Sequence, residues 1–192
     1  MPLTLANRLT LLRLLAIPAF ILFLIYYDLS FKAGATKDFY RLIAAAIFAC
    51  TVLLDALDGY IARSRNQVTR LGTILDPLAD KALLLSALIF IGRPSVESFT
   101  PGIPVWFTLL AVSRDLFLIF GAIIIHFISG TVRVKPHLIG KATTCFQMAT
   151  IGWVLLKFPE QPFFVLVGIT SALIVISLVI YTIEGIRQME HA

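Results

Sequence analysis

Long apolar stretches that alternate with short polar connections set the pattern of this sequence. Six of these stretches are long enough to cross a hydrocarbon core of about 30 Å as an α-helix. We therefore predict an all-α membrane protein with six transmembrane helices, in a single domain that covers residues 1–192. The predicted spans are Arg8–Tyr27, Tyr40–Leu57, Gly72–Gly92, Ile103–His126, Ala142–Phe158 and a sixth that follows the Pro159–Pro162 turn and ends near Tyr181, before a polar tail.

The polar connections predict which way the chain crosses the membrane. Asp28–Phe39 and Arg93–Gly102 connect spans on one side, whereas the basic turns Arg63–Arg70 and Ser129–Lys141 lie on the other side with both termini. That second side carries nine lysines and arginines: Arg8, Arg13, Arg63, Arg65, Arg70, Arg133, Lys135, Lys141 and Arg187. The first side carries five: Lys32, Lys37, Arg41, Arg93 and Lys157. Because cytosolic loops carry the excess of positive charge, the second side is predicted to be cytosolic.

Composition supports the membrane assignment. Only 14% of the residues are charged and 59% are hydrophobic, with a mean hydropathy of +0.93, whereas soluble domains carry about 25% charged residues. The net charge of +5 would suggest nucleic acid as a partner of a soluble chain. In a membrane protein, the positive-inside bias and anionic lipid headgroups explain it better, so we expect membrane lipids and no nucleic acid as partners.

Four aspartates interrupt the apolar pattern around the turn between spans two and three. Asp55 and Asp58 are three residues apart, and Asp76 and Asp80 are four apart, so each pair shares one helical face. Two such faces turned toward each other would converge four carboxylates, which suit Mg2+ or Mn2+ better than zinc. We expect one or two ions at this cytosolic-facing site. The structural alternative is helix caps and solvated charges, but carboxylates at helical spacing in apolar segments favour a functional site.

Four further positions complete a longer motif around these aspartates, in the order D-x2-D-G-x2-A-R-x8-G-x3-D-x3-D. The fixed positions are Asp55, Asp58, Gly59, Ala62, Arg63, Gly72, Asp76 and Asp80. In this motif the sequence resembles the CDP-alcohol phosphatidyltransferases, integral membrane enzymes of phospholipid synthesis. Fixed residues with fixed gaps make the resemblance highly specific.

The resemblance implies a donor, CDP-diacylglycerol, and a metal-dependent transfer of its phosphatidyl group to an alcohol with release of CMP. It implies metal ligation by the four aspartates and proton abstraction from the acceptor by Asp80. It also implies a nucleotide site, for which the small residues Gly59, Gly72 and Ala62 leave room. The residues expected to bind nucleotide are Asp55, Asp58, Gly59, Ala62, Arg63, Gly72 and, from a lead motif with Asn7 and Arg13, Thr10.

The acceptor is expected to carry a phosphate, because cationic residues accompany the motif. The expected acceptor-binding residues are Arg114, Arg133, Lys135 and Lys141. Phosphatidylglycerophosphate synthases are similar in the run Gly140, Lys141, Thr144 and Gln147, although many have an arginine where this chain has Ala122. Eukaryotic-type cardiolipin synthases are similar in Ser113, Arg114 and Asp115 and in Lys135 with Pro136. Glycerol 3-phosphate is the preferred prediction and phosphatidylglycerol the alternative.

Two further questions stay open at this point. A divalent-cation transporter would also place acidic residues in membrane helices, but a conduction path needs polar groups through the whole bilayer. The sequence also leaves the oligomeric state open between a monomer and a homodimer. Within span four, Arg114 and Asp115 could form a neutral buried ion pair that holds the helices in register. Against that alternative, adjacent residues on a helix do not face each other, so each is expected to meet a different partner.

Overall fold

In the computed structural model, the described residues are 5–65, 70–129 and 138–190, and they form six α-helices without a strand. Side chains are described for residues 12–54, 81–121, 123–124 and 138–188. The helices are α1 (Leu5–Lys32), α2 (Asp38–Arg65), α3 (Arg70–Ile91), α4 (Val105–Ser129), α5 (Leu138–Leu155) and α6 (Glu160–Glu190). The predictions of an all-α fold and of six helices are therefore confirmed for this part of the chain.

The end of α1 corrects the prediction of a connection that begins at Asp28. The helix continues to Lys32, because Asp28 is only 6% exposed and its carboxylate has two partners. Ser98 Oγ donates to Asp28 Oδ1 at 2.9 Å, and Lys32 Nζ lies 2.8 Å from Asp28 Oδ2. Gly34, at φ 71°, then ends the helix in a left-handed conformation that glycine adopts without steric cost.

Both ends of α5 also differ from the prediction of Ala142–Phe158. The helix begins at Leu138 and ends at Leu155, before Lys157 turns the backbone with φ 55°. The Phe158 amide donates to the Trp153 carbonyl at 3.1 Å, which is the bond of a Schellman motif, and the Trp153 and Phe158 rings pack 5.1 Å apart. The following helix α6 continues to Glu190, so it extends beyond the predicted end near Tyr181, and the polar tail is part of the helix.

The helices form two groups, α1 to α3 and α4 to α6, and contacts made by α3 and α5 connect the two groups. Helix α1 packs against α2 and α3, α6 packs against α4 and α5, and α5 also contacts α2 and α3. On α6 the buried positions recur at intervals of four and three residues: Phe163, Val167, Thr170, Ile174 and Ser177. This spacing buries one continuous stripe of the helix.

Large apolar side chains cover the outside of the bundle. Leu15, Leu109, Phe164 and Val165 are more than half exposed, which is costly in water and favourable in lipid. Among the described residues, two segments are long and apolar enough to cross a membrane, Leu12–Lys32 and Glu160–Gln188. The structure therefore supports membrane association.

Helices α5 and α6 approach each other closely at a glycine. A Cβ atom on Gly140 would lie 2.5 Å from Tyr181 Oη and 3.1 Å from its ring. Further along the same pair, the hydroxyls of Thr150 and Thr170 lie 3.4 Å apart. Small residues on α5 thus allow the two helices to approach closely, as is common in membrane helix pairs.

This contact predicts that two glycines of α5 respond differently to the same substitution. Gly140→Ala should lower the unfolding free energy by about 1–3 kcal/mol, because the methyl group overpacks the Tyr181 contact. Gly152→Ala should be neutral or stabilising by up to about 1 kcal/mol, because no atom lies within 4 Å of its Cβ and alanine favours the helix. Denaturation in detergent measures both, and equal effects would contradict the described contact.

Candidate active site

The eight motif positions lie on the adjoining ends of two consecutive helices. Asp55 and Asp58 fall in the last three turns of α2, and Asp76 and Asp80 fall in the first three turns of α3. Only four residues separate the two helices, and the helices contact each other. The side chains of the motif lie outside the described residues, so the metal site stays a prediction. In the described part of the chain, no other group of three acidic, histidine or cysteine residues could hold a metal.

The remaining predicted site residues fall in different settings. Thr10 belongs to α1, but its side chain is not among those described, and Arg133 and Lys135 lie outside the described residues. Lys141 is exposed in the first turn of α5, so the prediction that it belongs to the turn Ser129–Lys141 is wrong. Arg114 is only 2% exposed in the middle of α4.

A buried carboxylate shared by two cations joins three helices beside the motif. Asp115 Oδ1, on a residue with 0% exposure, accepts hydrogen bonds from Lys81 Nζ at 2.6 Å and from Arg114 Nη1 at 2.7 Å. Arg114 Nη2 also donates to Ser177 Oγ at 2.8 Å. Because Lys81 directly follows Asp80, this network connects the second aspartate pair of α3 to α4 and α6.

The network corrects one prediction about α4. Neighbours on a helix point in different directions, which predicts that Arg114 and Asp115 do not bond to each other. They nevertheless bond at 2.7 Å, since the long arginine side chain curves back to the carboxylate. The second half of the prediction is confirmed: each residue also meets a separate partner, Ser177 for Arg114 and Lys81 for Asp115.

Two polar atoms of this network are buried without a hydrogen-bond partner among the described residues. They are Arg114 Nε and Asp115 Oδ2. Buried polar atoms in native proteins are nearly always bonded, to the protein, to water or to a ligand. Among the described residues, the network therefore keeps one donor and one acceptor that a water or a ligand can bond.

The buried face of α5 is also polar near the motif. Gly140, Thr143, Gln147 and Thr150 are all buried there, at helical spacing. Thr143 Oγ1 donates to the Ile139 carbonyl at 2.7 Å, and Thr150 Oγ1 donates within its own helix in the same way. The Gln147 side chain differs, because both of its polar atoms are buried without a hydrogen-bond partner among the described residues.

A second shared carboxylate lies at the other end of the bundle and is exposed. Asp38 Oδ1 accepts from Lys157 Nζ at 2.9 Å and from Arg41 Nε at 3.2 Å, and the Asp38 side chain is 54% exposed. Asp38 precedes the second predicted span, which begins at Tyr40. The Lys157 hydrogen bond lowers the pKa of the Asp38 carboxyl below its ordinary value. Asp38 therefore contributes stability above that ordinary pKa, and the contribution is lost as pH falls through the lowered one.

Three residues of the buried site have no role predicted from the sequence: Lys81, Ser177 and Gln147. In the sequence, Lys81 is noticeable only because it follows the aspartate motif, and Gln147 only because it ends the run that begins at Gly140. Ser177 has no distinguishing feature among the small residues of an apolar helix. The available signal is the rule that an ionisable residue in a membrane helix marks a functional site. That rule points to Lys81 and Asp115, but it does not say that they bind each other.

Comparisons with known proteins define the class of this protein. The sequence model of the CDP-alcohol phosphatidyltransferase family matches residues 3–183. This chain belongs to the CDP-alcohol phosphatidyltransferase family. The prediction drawn from the motif between Asp55 and Asp80 is thereby confirmed.

Individual relatives carry two kinds of name. A "Probable phosphatidylglycerophosphate synthase" of Mycobacterium tuberculosis is 40% identical over 112 residues, which cover 58% of this chain and 48% of that protein. The "CDP-diacylglycerol--glycerol-3-phosphate 3-phosphatidyltransferase" of Aquifex aeolicus is 36% identical, over 71% of this chain and 77% of that protein. A "Probable cardiolipin synthase (CMP-forming)" of Drosophila melanogaster is 31% identical, over 71% and 48%. The chain thus spans about half of the length of the mycobacterial relative.

The two shared carboxylates predict that the same substitution lowers the unfolding free energy by different amounts at the two positions. Asp115→Asn should lower the unfolding free energy by about 3–5 kcal/mol, because it removes the anion between two cations at a buried position. Asp38→Asn is the matched control, since Asp38 also bonds two cations but is 54% exposed, and it should cost less than about 1 kcal/mol. Denaturation in detergent gives both values, and a smaller cost at Asp115 than at Asp38 would refute the arrangement.

Proposed function

We propose that this protein is a metal-dependent enzyme that transfers a phosphatidyl group from CDP-diacylglycerol to a hydroxyl of glycerol 3-phosphate and releases CMP. The observation that carries the proposal is the complete eight-position motif on the adjoining ends of α2 and α3, within a family match over residues 3–183. Family membership also favours this enzyme over a divalent-cation transporter.

The metal proposal depends on the donor set of the motif. Asp55, Asp58, Asp76 and Asp80 offer only carboxylate oxygens, which fit one or two Mg2+ or Mn2+ ions. Such ions, when bound, neutralise the pyrophosphate of the donor and the charge on departing CMP. Gly59, Ala62, Arg63, Gly72 and Thr10 are proposed to line the nucleotide side of the same site.

Asp80 is proposed to act as the general base in the transfer. Its carboxylate accepts the proton of the attacked acceptor hydroxyl. The acceptor oxygen then forms a bond to the lipid-side phosphorus of the donor, and the bond from that phosphorus to the oxygen of CMP breaks. Lys81 follows Asp80 in α3 and is held by Asp115, so the α3 backbone at this level is fixed relative to α4.

The acceptor phosphate is proposed to lie near the start of α5. Lys141 is exposed there and able to reach an anionic group, and Arg133 and Lys135 precede it in the sequence. Arg114 can contribute through Nε, which has no hydrogen-bond partner among the described residues. Charge-assisted hydrogen bonds from several donors suit a phosphate dianion.

Glycerol 3-phosphate is preferred over phosphatidylglycerol because of how the relatives align. The mycobacterial relative named phosphatidylglycerophosphate synthase is 40% identical and the Aquifex relative named for glycerol 3-phosphate is 36% identical, whereas the Drosophila relative named cardiolipin synthase is 31% identical. Cardiolipin synthesis is a second candidate, favoured by Ser113, Arg114 and Asp115 and by Lys135 with Pro136.

The membrane arrangement is part of the proposal. The charge count of nine against five supports a cytosolic N-terminus, six spans and a motif that faces the cytosol. This is also the side on which the released nucleotide can return to metabolism. A homodimer is compatible with the proposal, which does not require one.

An assay with purified protein and radiolabelled CDP-diacylglycerol tests the reaction. With Mg2+ and glycerol 3-phosphate we expect labelled phospholipid product and CMP, and EDTA should abolish both. Asp58→Ala and Asp76→Ala should each lower the rate about a thousandfold or more, because the metal supplies several kcal/mol of transition-state stabilisation. Asp38→Asn, at the other end of the bundle, should retain activity. Turnover in metal-free buffer would refute the metal proposal, and turnover with phosphatidylglycerol alone would replace the acceptor.

The acceptor site predicts a selective change in one kinetic constant. Lys141→Ala should raise the KM for glycerol 3-phosphate about ten- to a hundred-fold, the loss of one charged hydrogen bond, and leave the KM for CDP-diacylglycerol nearly unchanged. Lys157→Ala is the matched control, because this lysine lies after α5 at its other end. Arg114→Ala should also raise the acceptor KM, but it breaks a buried ion pair as well. An unchanged acceptor KM in Lys141→Ala would remove Lys141 from the site.

A further inference from the structure

The starting observation is a buried amide that the described part of the bundle leaves unbonded. Gln147 is 0% exposed, and neither its Nε2 nor its Oε1 has a hydrogen-bond partner among the described residues. Its helical neighbours do not compete for the same partners, because the hydroxyls of Thr143 and Thr150 bond to carbonyls of α5. In a native protein such a group is bonded by an ordered water or by a ligand, and an amide needs both a donor and an acceptor from them.

Contacts with α6 fix the level at which Gln147 lies in the bundle. Gly140 contacts Tyr181, and the Thr150 hydroxyl lies 3.4 Å from that of Thr170. The two helices are therefore antiparallel, and Gln147 lies opposite the part of α6 between Thr170 and Tyr181.

That part of α6 is connected to the proposed base. It contains Ser177, which accepts from Arg114, and Arg114 shares Asp115 with Lys81, the residue after Asp80. Helix α5 contacts both α2 and α3, the two helices of the motif. Gln147 thus lies on a buried face of α5, about one helical turn or roughly 5 Å along the bundle from the level of Ser177.

The chemistry of an amide selects among the groups that the two substrates offer. A phosphate dianion accepts hydrogen bonds but donates none, so it would leave Gln147 Oε1 unpaired. A hydroxyl group both donates and accepts, and so it satisfies the amide. Both candidate acceptors, glycerol 3-phosphate and phosphatidylglycerol, carry a primary hydroxyl that can attack and a neighbouring secondary hydroxyl that does not react.

We propose that Gln147 binds the unreacted secondary hydroxyl of the acceptor's glycerol unit and selects acceptors that carry it. This inference rests on the proposed function, and it holds for either of the two glycerol-bearing acceptors. The secondary hydroxyl donates to Oε1 and accepts from Nε2, or shares these bonds with a neighbouring water. Gln147 is then a specificity-determining residue and takes no proton in the reaction.

Two acceptors, each assayed with the wild-type protein and with Gln147→Met, test the proposal. 3-Hydroxypropyl phosphate keeps the primary hydroxyl and the phosphate of glycerol 3-phosphate and lacks only the secondary hydroxyl. The wild-type kcat/KM should favour glycerol 3-phosphate by about three- to tenfold, the effect of one neutral hydrogen bond. In Gln147→Met this ratio should fall to about one, with the loss confined to glycerol 3-phosphate. If phosphatidylglycerol is the acceptor, phosphatidylpropanediol replaces the deoxy analogue.

Stability and donor measurements distinguish acceptor recognition by Gln147 from a structural role and from nucleotide binding. Gln147→Met should melt at the same temperature as wild type or higher, because an apolar chain of similar shape replaces an unbonded amide. Thr150→Val, one turn deeper on the same face, should leave the acceptor ratio unchanged. The KM values for CDP-diacylglycerol and its deoxyribose analogue should be unaffected by Gln147→Met. A loss confined to the ribose donor would overturn the proposal by assigning Gln147 to the nucleotide.

Two results distinguish failure of this inference from failure of the proposed function. If wild-type protein transfers phosphatidyl groups but does not distinguish glycerol 3-phosphate from its deoxy analogue, the role of Gln147 is refuted and the reaction stands. This result needs no variant, so it is decisive even if Gln147→Met does not fold. If wild-type protein transfers to no glycerol-bearing acceptor, the proposed function fails, and the inference fails with it.

Discussion

The structure depends on one buried carboxylate and the two cations that it holds. Asp115 is fully buried, and a charge in that position is tolerable only with opposite charges in hydrogen-bond contact. Lys81 and Arg114 meet this requirement from α3 and α4, and Arg114 extends the connection to Ser177 on α6. Apolar contacts are non-directional, whereas these hydrogen bonds require a particular alignment of α3, α4 and α6. The position of Asp80 in the bundle is set by it.

Much of the helical pattern could be predicted from the sequence, because the lengths of the apolar stretches and the positions of the charged residues determine it. Helix ends were less predictable where tertiary contacts override local polarity. Asp28 and Lys32 look like a connection, yet Ser98 from a distant loop supplies the partner that keeps Asp28 within α1. The last turns of α6 are polar, and polarity alone wrongly predicts a helix end near Tyr181. Neither effect is visible in a local window.

The candidate site also combines features that follow from local spacing with contacts that do not. The metal site of the aspartates stays a prediction from the ligand preferences of a divalent ion, but their placement on two adjoining helix ends could be predicted from the sequence. The partners of Asp115 could not, because Lys81 is 34 residues away in sequence and Ser177 is 63 residues from Arg114. Gln147 is recognisable as part of a run, but its unbonded state is a property of the packed bundle. Contacts between residues that are far apart in the sequence cannot be predicted from a local sequence pattern.

The tight seam between α5 and α6 has a mechanical consequence. Gly140 against Tyr181 leaves no space for a methyl group, and the Thr143 hydroxyl reaches the Leu173 carbonyl at 3.3 Å further along. Separating these two helices would break all of these contacts at once. If the donor is the proposed CDP-diacylglycerol, its two acyl chains would enter from the lipid between two helices of the bundle. The contacts between α5 and α6 make that seam an unfavourable place for such an entrance.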